Sequence, residues 1–82
     1  MPLNPLNKTE QLLRKDIQNL IPSCHTAYRR TMLKTAYQCV ETGHKWASTY
    51  SPMEVDRDIC KEYAYANFST ARHLVDILRK ES

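Results

Sequence analysis

Three cysteines and three histidines are the residues of this chain whose chemistry is most specific. Cys24-His25, Cys39 with His44, Cys60 and His73 are spread over four segments. Structural zinc sites are built from paired ligands at short spacings, such as Cys-x-x-Cys or His-x-x-x-His, and neither spacing occurs here. No metal or other cofactor is expected. A nucleophilic dyad needs a thiol or hydroxyl, a base and an orienting third group. Cys24 and His25 are neighbours, but adjacent residues on a helix point about 100° apart. The carboxylates Asp56, Asp58 and Glu62 stand near an expected helix start, where negative charge favours the positive end of the dipole. No catalytic residue is assigned, and the chain is not expected to be an enzyme.

Basic and aromatic residues are the other chemically capable group. Residues 23–50 hold Arg29, Arg30, Lys34 and Lys45 against Glu41 alone, a local excess of three positive charges. Residues 51–82 hold six acids against five bases. The two segments can attract each other within the fold, or the basic one can face a negative partner. Tyr28, Tyr37, Trp46, Tyr50, Tyr63 and Tyr65 offer more aromatic area than a small core absorbs. Tyrosine, tryptophan and arginine dominate protein-binding hot spots. The expected partner-binding surface is Arg29, Arg30, Tyr37, Trp46 and Tyr50. Nucleic-acid binding by a basic helix over residues 23–42 is the rival reading, with the Pro22 turn as a helix-turn-helix corner.

These residues must be positioned by helices. The 82 residues include a single glycine, Gly43, too few for a strand-and-turn fold or a phosphate-cradling loop. The expected fold is all-α, a small bundle of three to four helices. Residues 1–6, with Pro2 and Pro5, read as an extended lead-in, and residues 7–82 as one helical domain. Asn7 reads as a cap with Glu10 three residues on, followed by Leu13, Ile17 and Leu20 at helical spacing. Glu10 and Arg14 can pair across a turn. Pro22 ends this helix near Leu20.

Ser23 or Thr26 caps the second helix, whose stripe is Tyr28, Met32, Ala36, Cys39 and Val40, widened by Leu33 and Tyr37. Gly43 is placed just beyond its C-terminus, with residues 44–50 as a connector. Ser51-Pro52-Met53-Glu54 reads as a capping box opening the third helix, with stripe Val55, Ile59, Tyr63 and Ala66. Ala71, Leu74, Val75 and Leu78 lie about 100° around from that stripe, which predicts a restart at Ser69 and a fourth helix. Asp76 and Lys80 are spaced to pair.

A chain of this size buries only about 60% of its unfolded surface, so a homodimer or a completing partner is expected to help. The odd number of cysteines suits a reducing compartment. No apolar run nears the roughly 20 residues of a membrane helix. Met1-Pro2-Leu3-Asn4-Pro5 lacks the features of a signal peptide, and a cytoplasmic location is expected.

Two resemblances bear on function. Ala36, Glu41, Gly43, Ala47, Tyr50, Arg57 and Cys60 resemble the Ala, Glu, Gly, Ala, Trp, Arg, Cys pattern of small enterobacterial virulence regulators of the PerC and AggR-activated-regulator kind. Here the spacing after Gly43 is one residue shorter, and Tyr50 stands in place of Trp. That resemblance implies a transcription regulator. In length, helical organisation and cysteine usage the whole chain is similar to the auxiliary antiholins of T-even phages. This second resemblance implies a protein of the host cytoplasm that delays lysis by binding the cytoplasmic N-terminal part of a holin.

Overall fold

The computed structural model describes residues 5–48 and 53–81, and these form three helices joined by short turns. Helix α1 spans Pro5–Leu20, a 3₁₀ turn spans Ile21–Ser23, α2 spans Ala27–Ser48 and α3 spans Glu54–Lys80. Among the described residues there is no strand. The molecule measures 45 × 24 × 15 Å, and α3 runs most of its long axis. The most extensive contact is between α2 and α3, and α1 packs across both.

Each helix buries one stripe. In α1 it is Leu13, Ile17 and Leu20, with Glu10 one turn earlier on the same face. Proline at the first helical position lacks only an N–H that would be unsatisfied there, so α1 opens at Pro5, two residues before the expected cap Asn7. Its end is set as expected by Pro22. Ser23 Oγ donates to the Leu20 carbonyl at 2.9 Å, and the Cys24 N–H donates to the Ile21 carbonyl at 3.2 Å. Thr26 is the cap of α2, its Oγ1 accepting the Arg29 N–H at 3.1 Å.

In α2 the buried stripe is Leu33, Ala36, Val40 and Gly43. Tyr28 and Tyr37 of the expected stripe are exposed, and Met32 and Cys39 lie at its edge. Gly43 does not end the helix. It is interior, has no positive φ and is buried, and α2 continues through the expected connector to Ser48. Glycine is used here for close approach. A Cβ at position 43 would lie 2.6 Å from Cε1 and 2.8 Å from Cδ1 of Phe68.

Helix α3 is continuous, so the expected restart at Ser69 and the fourth helix are corrected. One stripe of Cys60, Ala64, Phe68, Ala71, Val75 and Leu78 keeps its phase from end to end. The expected early stripe followed the bulkier side chains, but Ile59, Tyr63 and Ala66 face solvent. Asn67 does not break the helix: its Nδ2 donates back to the Tyr63 carbonyl at 2.8 Å. The expected cap residues Ser51 and Pro52 lie outside the described residues, and Met53 stands extended just before Glu54. Asp76 faces Arg72, one turn earlier, at 3.9 Å.

Substituting Gly43 by alanine sets two effects against each other. Helix propensity favours alanine by about 1 kcal/mol. Forcing a methyl against a ring that is itself buried costs about 1–3 kcal/mol. Gly43→Ala is therefore expected to lower the thermal midpoint by several degrees, whereas in a Phe68→Leu background the same change becomes neutral or stabilising. Melting curves of the four proteins in this cycle measure it, and a rise in midpoint for Gly43→Ala alone contradicts the packing described.

Candidate partner-binding groove

Pro22 turns the chain so that Ile21 leaves the end of α1 pointing outward, 58% exposed. The Thr26 cap then starts α2 in a phase that puts Arg30, Lys34 and Tyr37 on one face, spaced by four and three residues. Between them lies an open groove of about 400 Å³, lined by Ile17, Ile21, Cys24, Arg30, Leu33, Lys34 and Tyr37. A second depression of about 260 Å³ shares Ile17, Ile21 and Tyr37 and adds Arg14 and Gln18. The floor is apolar: Ile17, Leu33 and Cys24 are core residues whose edges close it from below. Tyr37, 49% exposed, is the largest side chain of the wall.

Two polar clusters hold the helices that frame the groove. At one end, Arg29 reaches across the molecule. Its Nε donates to the Ser23 carbonyl at 3.2 Å, and its Nη2 donates to the Leu78 carbonyl at 3.1 Å. Nη1 lies 3.6 Å from the Glu81 carboxylate, and the side chain is only 12% exposed. Arg29 thereby ties the Pro22 turn to the negative end of α3.

At the other end, Glu10 accepts from Arg14 Nε at 2.9 Å and lies 2.8 Å from His44 Nδ1. Arg14 also donates to Glu41, which joins α1 to α2. Burial works against the Arg14 charge, but its hydrogen bonds to Glu41 and Glu10 outweigh it, so its pKa is raised. The hydrogen bond from Arg14 holds the Glu41 carboxyl below its ordinary value, with a smaller contribution from Tyr37. Asp16 of α1 receives Arg72 of α3 at 2.9 Å and Arg79 at 3.9 Å.

The structure divides the five residues expected at the binding surface. Arg30 and Tyr37 come together in the groove. Arg29 does not join them, because its guanidinium is turned inward. Trp46 is half-buried beside the core, with its ring centroid 4.9 Å from that of Tyr63. Tyr50 lies outside the described residues. Lys34, Ile21 and the apolar floor were not assigned to the binding surface from the sequence. The 30/34/37 spacing was the available signal for Lys34.

Among the described residues no three His, Cys, Asp or Glu side chains are placed to hold a metal ion. Cys24, Cys39 and Cys60 are free thiols, and burial pushes the Cys39 thiol up, away from the reactive thiolate. No helix among the described residues is long and apolar enough to cross a membrane. No protein-family model matches the chain, and searches of curated proteins and of solved structures give no match.

Two substitutions test the frame. Arg29→Ala leaves two carbonyls without their charged donor and is expected to cost about 1–3 kcal/mol of stability in urea melts. An Arg29→Ala protein as stable as the parent would remove Arg29 from the frame. Glu41 has a folded pKa below its unfolded one. Its contribution is thus present above the unfolded carboxylate range, near about 4.3, and is lost as pH falls through the lower folded value. Glu41→Gln should lower the melting temperature at neutral pH, and the gap to the parent should close in strong acid. A gap that stays constant with pH would show that the carboxylate charge contributes nothing.

Proposed function

We propose that the protein is a non-enzymatic regulator that acts by binding another protein through the α1–α2 groove. The observation that carries this reading is the solvent-facing apolar trough bounded by Ile21 and Tyr37 and edged by the cations Arg30 and Lys34. Tyrosine with a neighbouring arginine is a frequent anchor of protein interfaces. The similarity to the auxiliary antiholins of T-even phages supplies the finer reading. In it, the partner is the cytoplasmic N-terminal segment of a holin, and binding delays lysis. A partner held at the inner membrane surface, which is negatively charged, suits a protein with exposed cations on its binding face.

The direct test is titration of the protein into a fluorescein-labelled peptide of a T-even holin's cytoplasmic N-terminal segment. Ile21→Ser with Tyr37→Ser removes the apolar walls at exposed positions, so the fold is kept, and should weaken binding about tenfold or more. Unchanged binding moves the contact away from this groove. Tight binding of mixed-sequence duplex DNA that falls steeply with salt would replace the reading with the nucleic-acid one.

A further inference from the structure

The groove has a length, a floor and a charge, and together they describe its occupant more closely than "another protein". This step rests on the reading just given. From Arg30 to Tyr37 is seven residues along α2, and from Arg14 to Ile21 seven residues along α1 into the 3₁₀ turn, each about 10 Å. That is two turns. The two depressions share Ile17, Ile21 and Tyr37 and form one trough open along its length. A small ligand binds where most of its surface is enclosed, which this trough does not do. A helix laid in a groove buries one face only.

Charge then selects the helix. Arg30 and Lys34 stand four apart on α2, where like charges repel. Among the described residues neither makes an ion pair. Arg14, at the far end of the trough, is already held by Glu10 and Glu41. The uncompensated positive charge is therefore concentrated on the α2 side, beside Leu33 and Tyr37. A flat lipid surface meets these cations but does not descend to Ile17 and Leu33 at the floor.

We infer that the groove receives an acidic amphipathic helix of a partner protein, about two turns long. Apolar residues spaced three and four apart enter over Ile17, Ile21 and Leu33. Carboxylates on one flank meet Arg30 and Lys34. The two interactions divide the labour: the apolar contacts hold the helix, and the carboxylates choose which helix and in which orientation it lies.

The test uses the full chain and three fluorescein-labelled probe peptides of about 14 residues. One carries leucines at helical spacing with glutamates on the flanks. The second carries the same leucines with lysines on the flanks. The third is a scramble of the first. The acidic amphipathic peptide should bind about tenfold more tightly than either of the others. Arg30→Glu with Lys34→Glu should reverse the preference between the first two. Ile21→Ser with Tyr37→Ser should abolish binding of both. Circular dichroism melts of the variants verify that they remain folded.

Equal binding of the acidic and basic peptides overturns the inference and leaves the groove as a binding site. Failure of all peptides, with the holin segment still bound through Ile21 and Tyr37, does the same. Failure of the peptides and of the holin segment overturns both readings. Binding to phosphatidylserine vesicles that Arg30→Glu with Lys34→Glu removes, without peptide binding, assigns the face to lipid and overturns the inference. So does a dimer in sedimentation that those same changes dissolve, because the occupant is then a second copy, with the exposed acids Asp58 and Glu62 of its α3 as the natural counterpart.

Discussion

Phe68 lies against the backbone of α2 because position 43 has no side chain to keep it out. The rest of the packing follows from that approach. On either side of the contact the facing residues are small, Ala36 on α2 and Ala64 and Ala71 on α3, and all three are fully buried. Large and small side chains thus alternate along the seam: Val40 between Ala36 and Gly43, Phe68 between Ala64 and Ala71. Interdigitation of this kind fills a thin core at native density without demanding many large residues. It suits a chain of 82 residues, whose core is thin. Leu13 of α1 and Val75 and Leu78 of α3 complete the fully buried set with Val40.

Helix α1 is bound differently. Its apolar stripe is short, and the remainder of its attachment is ionic: Glu10 and Arg14 to α2, Asp16 to the arginines of α3. Ion pairs at a surface contribute little each and are screened by salt. They act as guides that set where α1 lies on the α2–α3 pair, while Leu13, Ile17 and Leu20 hold it there. A helix placed by its flanks and anchored along one narrow line leaves its other side unfilled. That unfilled side is the groove. The open trough thus lies beside a thin core whose α2–α3 seam relies on glycine and alanine.

The all-α class and the first helix were legible from the sequence. Leu13, Ile17 and Leu20 at helical spacing, stopped by Pro22, define α1 to within two residues of its start, and Thr26 was one of two expected caps. What was not legible has one physical origin. Glycine both ends helices and permits close contact, and the sequence around Gly43 does not distinguish these uses, since the deciding partner is Phe68, 25 residues away. The same holds for α3. Periodicity weighted by side-chain size favours Ile59 and Tyr63, yet the buried face runs through Cys60 and Ala64, chosen because small residues let α2 come close. The lining of the groove was legible only at Arg30 and Tyr37, for a related reason. Arg29 and Arg30 are equivalent as letters, and only the fold shows which carbonyls lie within reach of one of them.

That divergence of neighbours puts one arginine in the frame and the next in the groove. Residues adjacent on a helix point about 100° apart. Arg29 spends its donors inward, on the Ser23 and Leu78 carbonyls and on Glu81, so its charge belongs to the frame. Arg30 has the same charge, one position on, and faces the groove with Lys34. A change at Arg29 acts first on the turn that carries Ile21 and reaches binding only through it. A change at Arg30 acts on the charge of the groove and leaves the turn in place. The rotation of α2 fixes both outcomes at once: Thr26 caps its first turn, and Leu33, Ala36, Val40 and Gly43 are its buried stripe. Shift that rotation by one residue and Arg29 leaves the carbonyls it holds, the floor at Leu33 rotates away, and the trough loses its apolar base. The register of α2 is thus the common cause of the seam with α3, the ionic frame and the charge of the groove.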